Sequence, residues 1–182
     1  MKNLIFAFLV LAFISCEEKT ASETEAASVE NPENSVSVEE KRKNISELIT
    51  SWHEAAAAAN FDTYFDKMSA DGVFIGTDAT ENWQNEDFRK YSQPHFESGE
   101  AWDFTALERN IYIAENGEIA WFDELLETPM GICRGSGVVS KASGSWKIKH
   151  YVLSMVVPNE VASEVIKTKS EIDSIIISQL KL

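Results

Sequence analysis

The sequence predicts an α+β fold in which helices pack on one face of an antiparallel sheet. Three observations carry this. Apolar residues recur at three- and four-residue steps up to about residue 96, the period changes to two from Ala101 onward, and two glycine turns punctuate the strand region. Helices first and a meander of long strands afterwards is the α+β order.

The elements follow in turn. Ile45, Leu48, Ile49, Trp52, Ala55, Ala56 and Ala59 share one helical face, and Asn60 stops that helix. Phe61, Tyr64, Phe65 and Met68 predict a short second helix closed by Asp71-Gly72, followed by a brief strand at Val73-Phe74-Ile75. Asn85 or Asp87 starts a third helix running toward Phe96, with Phe88, Tyr91 and His95 turned inward. Strands are expected over Phe104 to Ile113 and Glu118 to Glu127 around Asn116-Gly117, then Gly131 to Lys141 and Ser145 to Val157 around Ser143-Gly144. Pro158 ends the last strand, and Val161 to Leu180 is helical in pattern.

The chain has 182 residues, 16 Lys and Arg against 30 Asp and Glu, and a net charge of −14. Such a balance repels phosphate backbones and argues against nucleic-acid binding. Lys2 and the apolar run Leu4 to Ile14 have the length of a signal-peptide core rather than a membrane span. The run ends in Phe13-Ile14-Ser15-Cys16, which resembles a bacterial lipobox with Cys16 as the lipidated residue. Glu17 and Glu18 resemble the acidic tract of some Bacteroidetes lipoproteins. The expected organisation is a signal peptide at 1–15, a disordered acidic tether at 16–42, the domain at 43–160 and a helical extension at 161–182. The expected location is the bacterial cell envelope, attached to the outer membrane through the lipid alone.

Hairpin register assigns faces. A two-residue turn at Asn116-Gly117 pairs Tyr112 with Trp121, Asn110 with Asp123, and Arg109 with Glu124. Tyr112, Trp121, Asn110 and Asp123 then share one face, and Ile111, Ile113, Phe122, Arg109 and Glu124 the other. A turn at Ser143-Gly144 pairs Gly137 with His150, Gly135 with Val152, and Cys133 with Ser154. The row Gly131, Cys133, Gly135, Gly137 therefore faces Trp146, Ile148, His150, Val152 and Ser154. Glycine at alternate strand positions marks either a helix packed tightly on bare sheet or a hollow above it.

These segments carry a resemblance. Phe74-Ile75-Gly76-Thr77-Asp78 with Trp83, Ala120-Trp121-Phe122-Asp123-Glu124, Arg134-Gly135-Ser136-Gly137-Val138, Trp146 to Ser154 and Val157-Pro158-Asn159-Glu160 are similar, in this order, to the SnoaL-like branch of the nuclear transport factor 2-like superfamily. The resemblance spans about 43–160. It implies a cone-shaped, cystatin-like roll with a strongly curved sheet wrapped around the helices, a pocket at the open end, and dimerisation through the outer sheet face. Many relatives end in a His-x-His-x-Ser pattern; here Val152 stands at the second histidine and only His150 remains.

Asp123 and His150 are the candidate catalytic pair, as general base and acid–base or orienting partner. The alternatives are a carboxylate bonded to Asn110 or exposed at the rim, and a structural histidine. Trp83, Tyr112, Trp121, Asn110, Trp146 and Ser154 are the candidate pocket residues. Arg109 and Glu124 read as a cross-strand ion pair of little net effect. No metal-ligand spacing connects His53, His95 and His150, and no cofactor fingerprint appears. Two functions follow: a lipid-anchored module that binds a small apolar molecule or assembles as a homodimer, and a cofactor-free cyclase or isomerase using Asp123 and His150.

Overall fold

The first folded turn is set by a cap. Ser37 Oγ accepts from the Glu40 backbone N–H at 3.1 Å, and Glu39 and Glu40 sit in the first turn, where the helix dipole favours acids. Helix α1 (Val38–Ala57) thus begins inside the stretch 16–42 expected as tether. The computed structural model describes residues 36–181; the signal segment, Cys16 and the tether up to residue 35 lie outside the described residues.

After α1 come α2 (Phe61–Asp66), β1 (Met68–Ile75), β2 (Asn82–Gln84) and α3 (Asn85–Glu97). Four long strands follow: β3 (Thr105–Ile113), β4 (Ile119–Thr128), β5 (Gly131–Ala142) and β6 (Ser145–Met155). A 3-10 turn at Asn159–Val161 leads into α4 (Ala162–Leu180). The six strands form one curved sheet in the order β2-β1-β6-β5-β4-β3. Neighbours are antiparallel except β1 and β6, which run parallel.

Helices α1, α2 and α3 pack on one face of the sheet. Ile45, Ile49 and Trp52 of α1 meet Tyr64 and Phe65 of α2, Phe88 of α3, and Phe122, Leu126, Ile148 and Tyr151 of the sheet. Each such side chain, fully buried, contributes about 1.5–3 kcal/mol. In α3 the inward row is Phe88, Ser92 and Phe96, an i, i+4 series; Tyr91 and His95, expected inside, are exposed. Ser92 is accommodated because its hydroxyl donates to Phe88 O at 2.6 Å. Met68, expected in the second helix, opens β1 instead, and Asp71-Gly72 falls within that strand's irregularity.

The first long hairpin keeps the expected pairing: Tyr112 with Trp121, Asn110 with Asp123, Arg109 with Glu124. Its turn is wider than two residues, with Gly117 N–H donating to Ala114 O at 2.8 Å and Ala114 N–H to Ile119 O at 2.9 Å. The second hairpin has the expected two-residue turn, Ser143 and Gly144 both at positive φ (50° and 86°). Its register nevertheless slips. Val139 pairs with Ile148 but Val138 with His150, so Lys149 is an extra residue. Gly137 therefore pairs with Tyr151, Gly135 with Leu153 and Cys133 with Met155, not with His150, Val152 and Ser154. A one-residue slip exchanges the faces of the strand beyond it.

Candidate functional site

The slip decides where the expected site residues of β6 beyond Lys149 lie. Tyr151 and Leu153 turn toward the helices and are buried, while His150 and Val152 turn to the far face. On β4 the buried row is Ala120, Phe122, Glu124 and Leu126, which leaves Trp121 and Asp123 on the far face too. There Tyr112 and Trp121 stack with ring centroids 5.9 Å apart, 47% and 49% exposed. Asn110 Nδ2 donates to Asp123 Oδ1 at 3.2 Å. Asp123 and His150 thus share an outer surface, line neither of the two cavities described below, and form no enclosed acid–base pair. Ser154 also lies outside, beside α4. Trp146 packs half-buried against the core. Of the expected pocket residues only Trp83 lines an inner cavity.

At Gly135 and Gly137 the row is covered by neither a helix nor a hollow, while Gly131 at its end is open. A Cβ on Gly135 would stand 2.2 Å from the Tyr151 hydroxyl and 3.0 Å from Glu124 Cγ. One on Gly137 would stand 2.5 Å from His150 O and 2.8 Å from the Phe122 ring. The bare backbone lets side chains of the two adjacent strands lie across it.

Those side chains build a buried polar cluster around Glu124, whose side chain is 0% exposed. His53 Nε2 donates to Glu124 Oε1 at 2.8 Å, and the Tyr151 hydroxyl donates to the same oxygen at 3.0 Å. Arg109 Nε donates to Oε2 at 2.9 Å, with Nη2 at 2.7 Å. Arg109 Nη1 reaches α1, donating to Ser46 O at 3.0 Å and Thr50 Oγ1 at 2.8 Å. Burial pushes the Glu124 carboxyl up, but the His53 hydrogen bond and the charges of His53 and Arg109 outweigh it and hold it below the usual range. Burial, reinforced by Glu124, pushes the Tyr151 phenol well up, so it stays a neutral donor. The Arg109–Glu124 pair is cross-strand as expected, and it is also desolvated and ties the sheet to helix α1. His53 and Arg109 line a polar cavity of about 360 Å³ together with Thr50, Glu54, Asp103 and Phe104.

A second cavity, of about 320 Å³, shares Asp103 and Phe104 with the first. Its walls are aromatic: Phe74, Trp83, Phe88, Tyr91, Trp102 and Phe104. Phe74 and Phe88 stack at 4.2 Å, Phe88 and Trp102 at 5.6 Å, and Trp83 and Tyr91 at 4.9 Å. Such stacked pairs contribute about 0.5–1.5 kcal/mol each beyond their burial. Leu153 completes the floor from β6, a place it holds only because of the Lys149 bulge.

The fold is of the nuclear transport factor 2-like, cystatin-like type. It is similar to an NTF2-like protein of unknown function from Pseudomonas putida (15% identity, 70% of this chain and 94% of that one, TM-score 0.55). A Nostoc punctiforme protein with a cystatin-like fold is similar too (15% identity, 68% and 96%, TM-score 0.53). So is the association domain of C. elegans CaMKII (17% identity, 64% and 97%, TM-score 0.53). The SnoaL-like domain family matches residues 45–158, and the chain belongs to that family. No curated protein matches the chain.

Proposed function

We propose that this SnoaL-like domain binds a small, largely apolar molecule in the aromatic cavity beneath Asp103-Phe104. The observation that carries the reading is the wall itself: six aromatic rings around about 320 Å³, with the exposed Met130 also lining it. Naphthalene is a suitable probe. Trp83→Leu and Met130→Asp alter the wall at residues that are not themselves in the buried core, and each is expected to weaken binding about tenfold, a change of about 1.4 kcal/mol. Unchanged affinity in both variants refutes the cavity as the binding site.

In this reading the domain is a lipoprotein of the bacterial cell envelope, held through Cys16. Incorporation of labelled palmitate that persists in Cys16→Ser would contradict that anchor. The outer sheet face, with Tyr112, Ile119, Trp121 and Ile132 all more than two-fifths exposed, supports self-association as a homodimer. Leu153, on the opposite face of the sheet, is buried. Sedimentation is expected to give a dimer that Trp121→Glu converts to a monomer; a monomeric wild type sinks this part of the proposal.

A further inference from the structure

The acidic residues lining the aromatic cavity are Glu81 and the exposed Asp103; no Lys, Arg or His lines it. Accepting that the cavity is the ligand site, we infer that its ligand is an organic cation, an alkylammonium of about the size of benzyltrimethylammonium. Aromatic faces attract a cation with about 0.5–2 kcal/mol or more once water is excluded, whereas they offer a neutral hydrocarbon only contact. The carboxylates supply the opposite charge.

The position of Glu81 is built into the chain. A Cβ on Gly76 would fall 2.1 Å from Glu81 Oε2, so glycine there is what lets the carboxylate lie against the backbone. The Asp78 N–H donates to Oε2 at 3.1 Å, and the loop is closed by Gly76 N–H to Glu81 O and Glu81 N–H to Asp78 O, each 3.0 Å. These bonds fix a half-buried carboxylate that lines the cavity together with Trp83. Among the described residues neither Glu81 nor Asp103 forms an ion pair. Lys169, across the neighbouring crevice that Glu81 also lines, pairs with Asp173 at 3.2 Å. The buried Glu124 is different, because Arg109 and His53 already answer its charge.

The test compares two molecules of one shape. Benzyltrimethylammonium and neopentylbenzene differ by a charged nitrogen in place of a carbon. Binding to the full chain is measured for both, with tryptophan fluorescence as readout. The inference expects the cation to bind at least tenfold more tightly than the hydrocarbon, a preference that shrinks severalfold in Glu81→Gln, in Asp103→Asn and at high salt. The two variants are independent, so failure of one to fold leaves the other decisive. A hydrocarbon that binds as tightly as the cation overturns the inference and leaves the apolar cavity standing. If neither molecule binds, both fall.

Discussion

Replacing Glu124 by Gln keeps the side chain's shape and removes the charge around which Arg109, His53 and Tyr151 are arranged. The guanidinium would then remain buried without compensation, and breaking a buried pair in this way costs about 3–5 kcal/mol. Urea unfolding at neutral pH is expected to show that loss; a change under about 1 kcal/mol would mean the pair is effectively solvated. The sign of the pH dependence follows. A carboxyl held below its unfolded value of about 4.3 stabilises the fold above that pH, and the contribution disappears as pH falls through the folded value. Wild type should therefore lose more stability than Glu124→Gln on going from pH 5 to pH 3. The cluster was half legible in the sequence. The pairing of Arg109 with Glu124 follows from the hairpin, but their burial does not. The available signal was parity: Glu124 stands in the row of Ala120, Phe122 and Leu126, an acid among inward residues. His53 likewise lies beside Trp52 on the buried arc of α1.

Strand β6 shows why elements are easier to read than their faces. Its start and turn follow from Ser143-Gly144 and it ends at Met155, two residues before the expected Val157, yet one extra residue at Lys149 reverses everything after it. The large inward residues step by two from Trp146 to Ile148, by three to Tyr151, and by two again to Leu153; the odd step is the bulge. In α1 the missed start has an equally local cause, the Ser37-x-x-Glu40 cap ahead of the apolar stripe. Helix α4 is the converse case. It is read correctly from its pattern, but none of its residues is buried, and the family match ends before it at residue 158. A chain ending at Pro158 is therefore expected to unfold within about 1 kcal/mol of the full chain, since an element without core contacts contributes little by burial. A loss of several kcal/mol would show that α4 is integral to the domain.

At the scale of the whole molecule, the curved sheet separates two surfaces with different chemistry. The inner one carries the core, the Glu124 cluster and the aromatic cavity; the outer one carries Tyr112, Trp121, Asp123 and His150. Element order and turn signals sufficed for the α+β class, and the roll is what the family resemblance implied. The site demanded knowledge of which face closes over, and that depends on the fit of distant segments: the Gly76–Glu81 loop, α3 and Asp103-Phe104 meet only in three dimensions. The chain's five tryptophans report on both surfaces at once. Trp83 and Trp102 line the cavity, Trp52 is in the core, Trp146 packs beside it, and Trp121 is outside. The most direct measurement is the indole N–H spectrum of isotope-labelled protein during titration with benzyltrimethylammonium and with naphthalene. The account predicts that Trp83 and Trp102 shift while Trp121 stays in place. A spectrum in which Trp121 moves and the two cavity indoles do not would put the ligand on the wrong side of the sheet and contradict it.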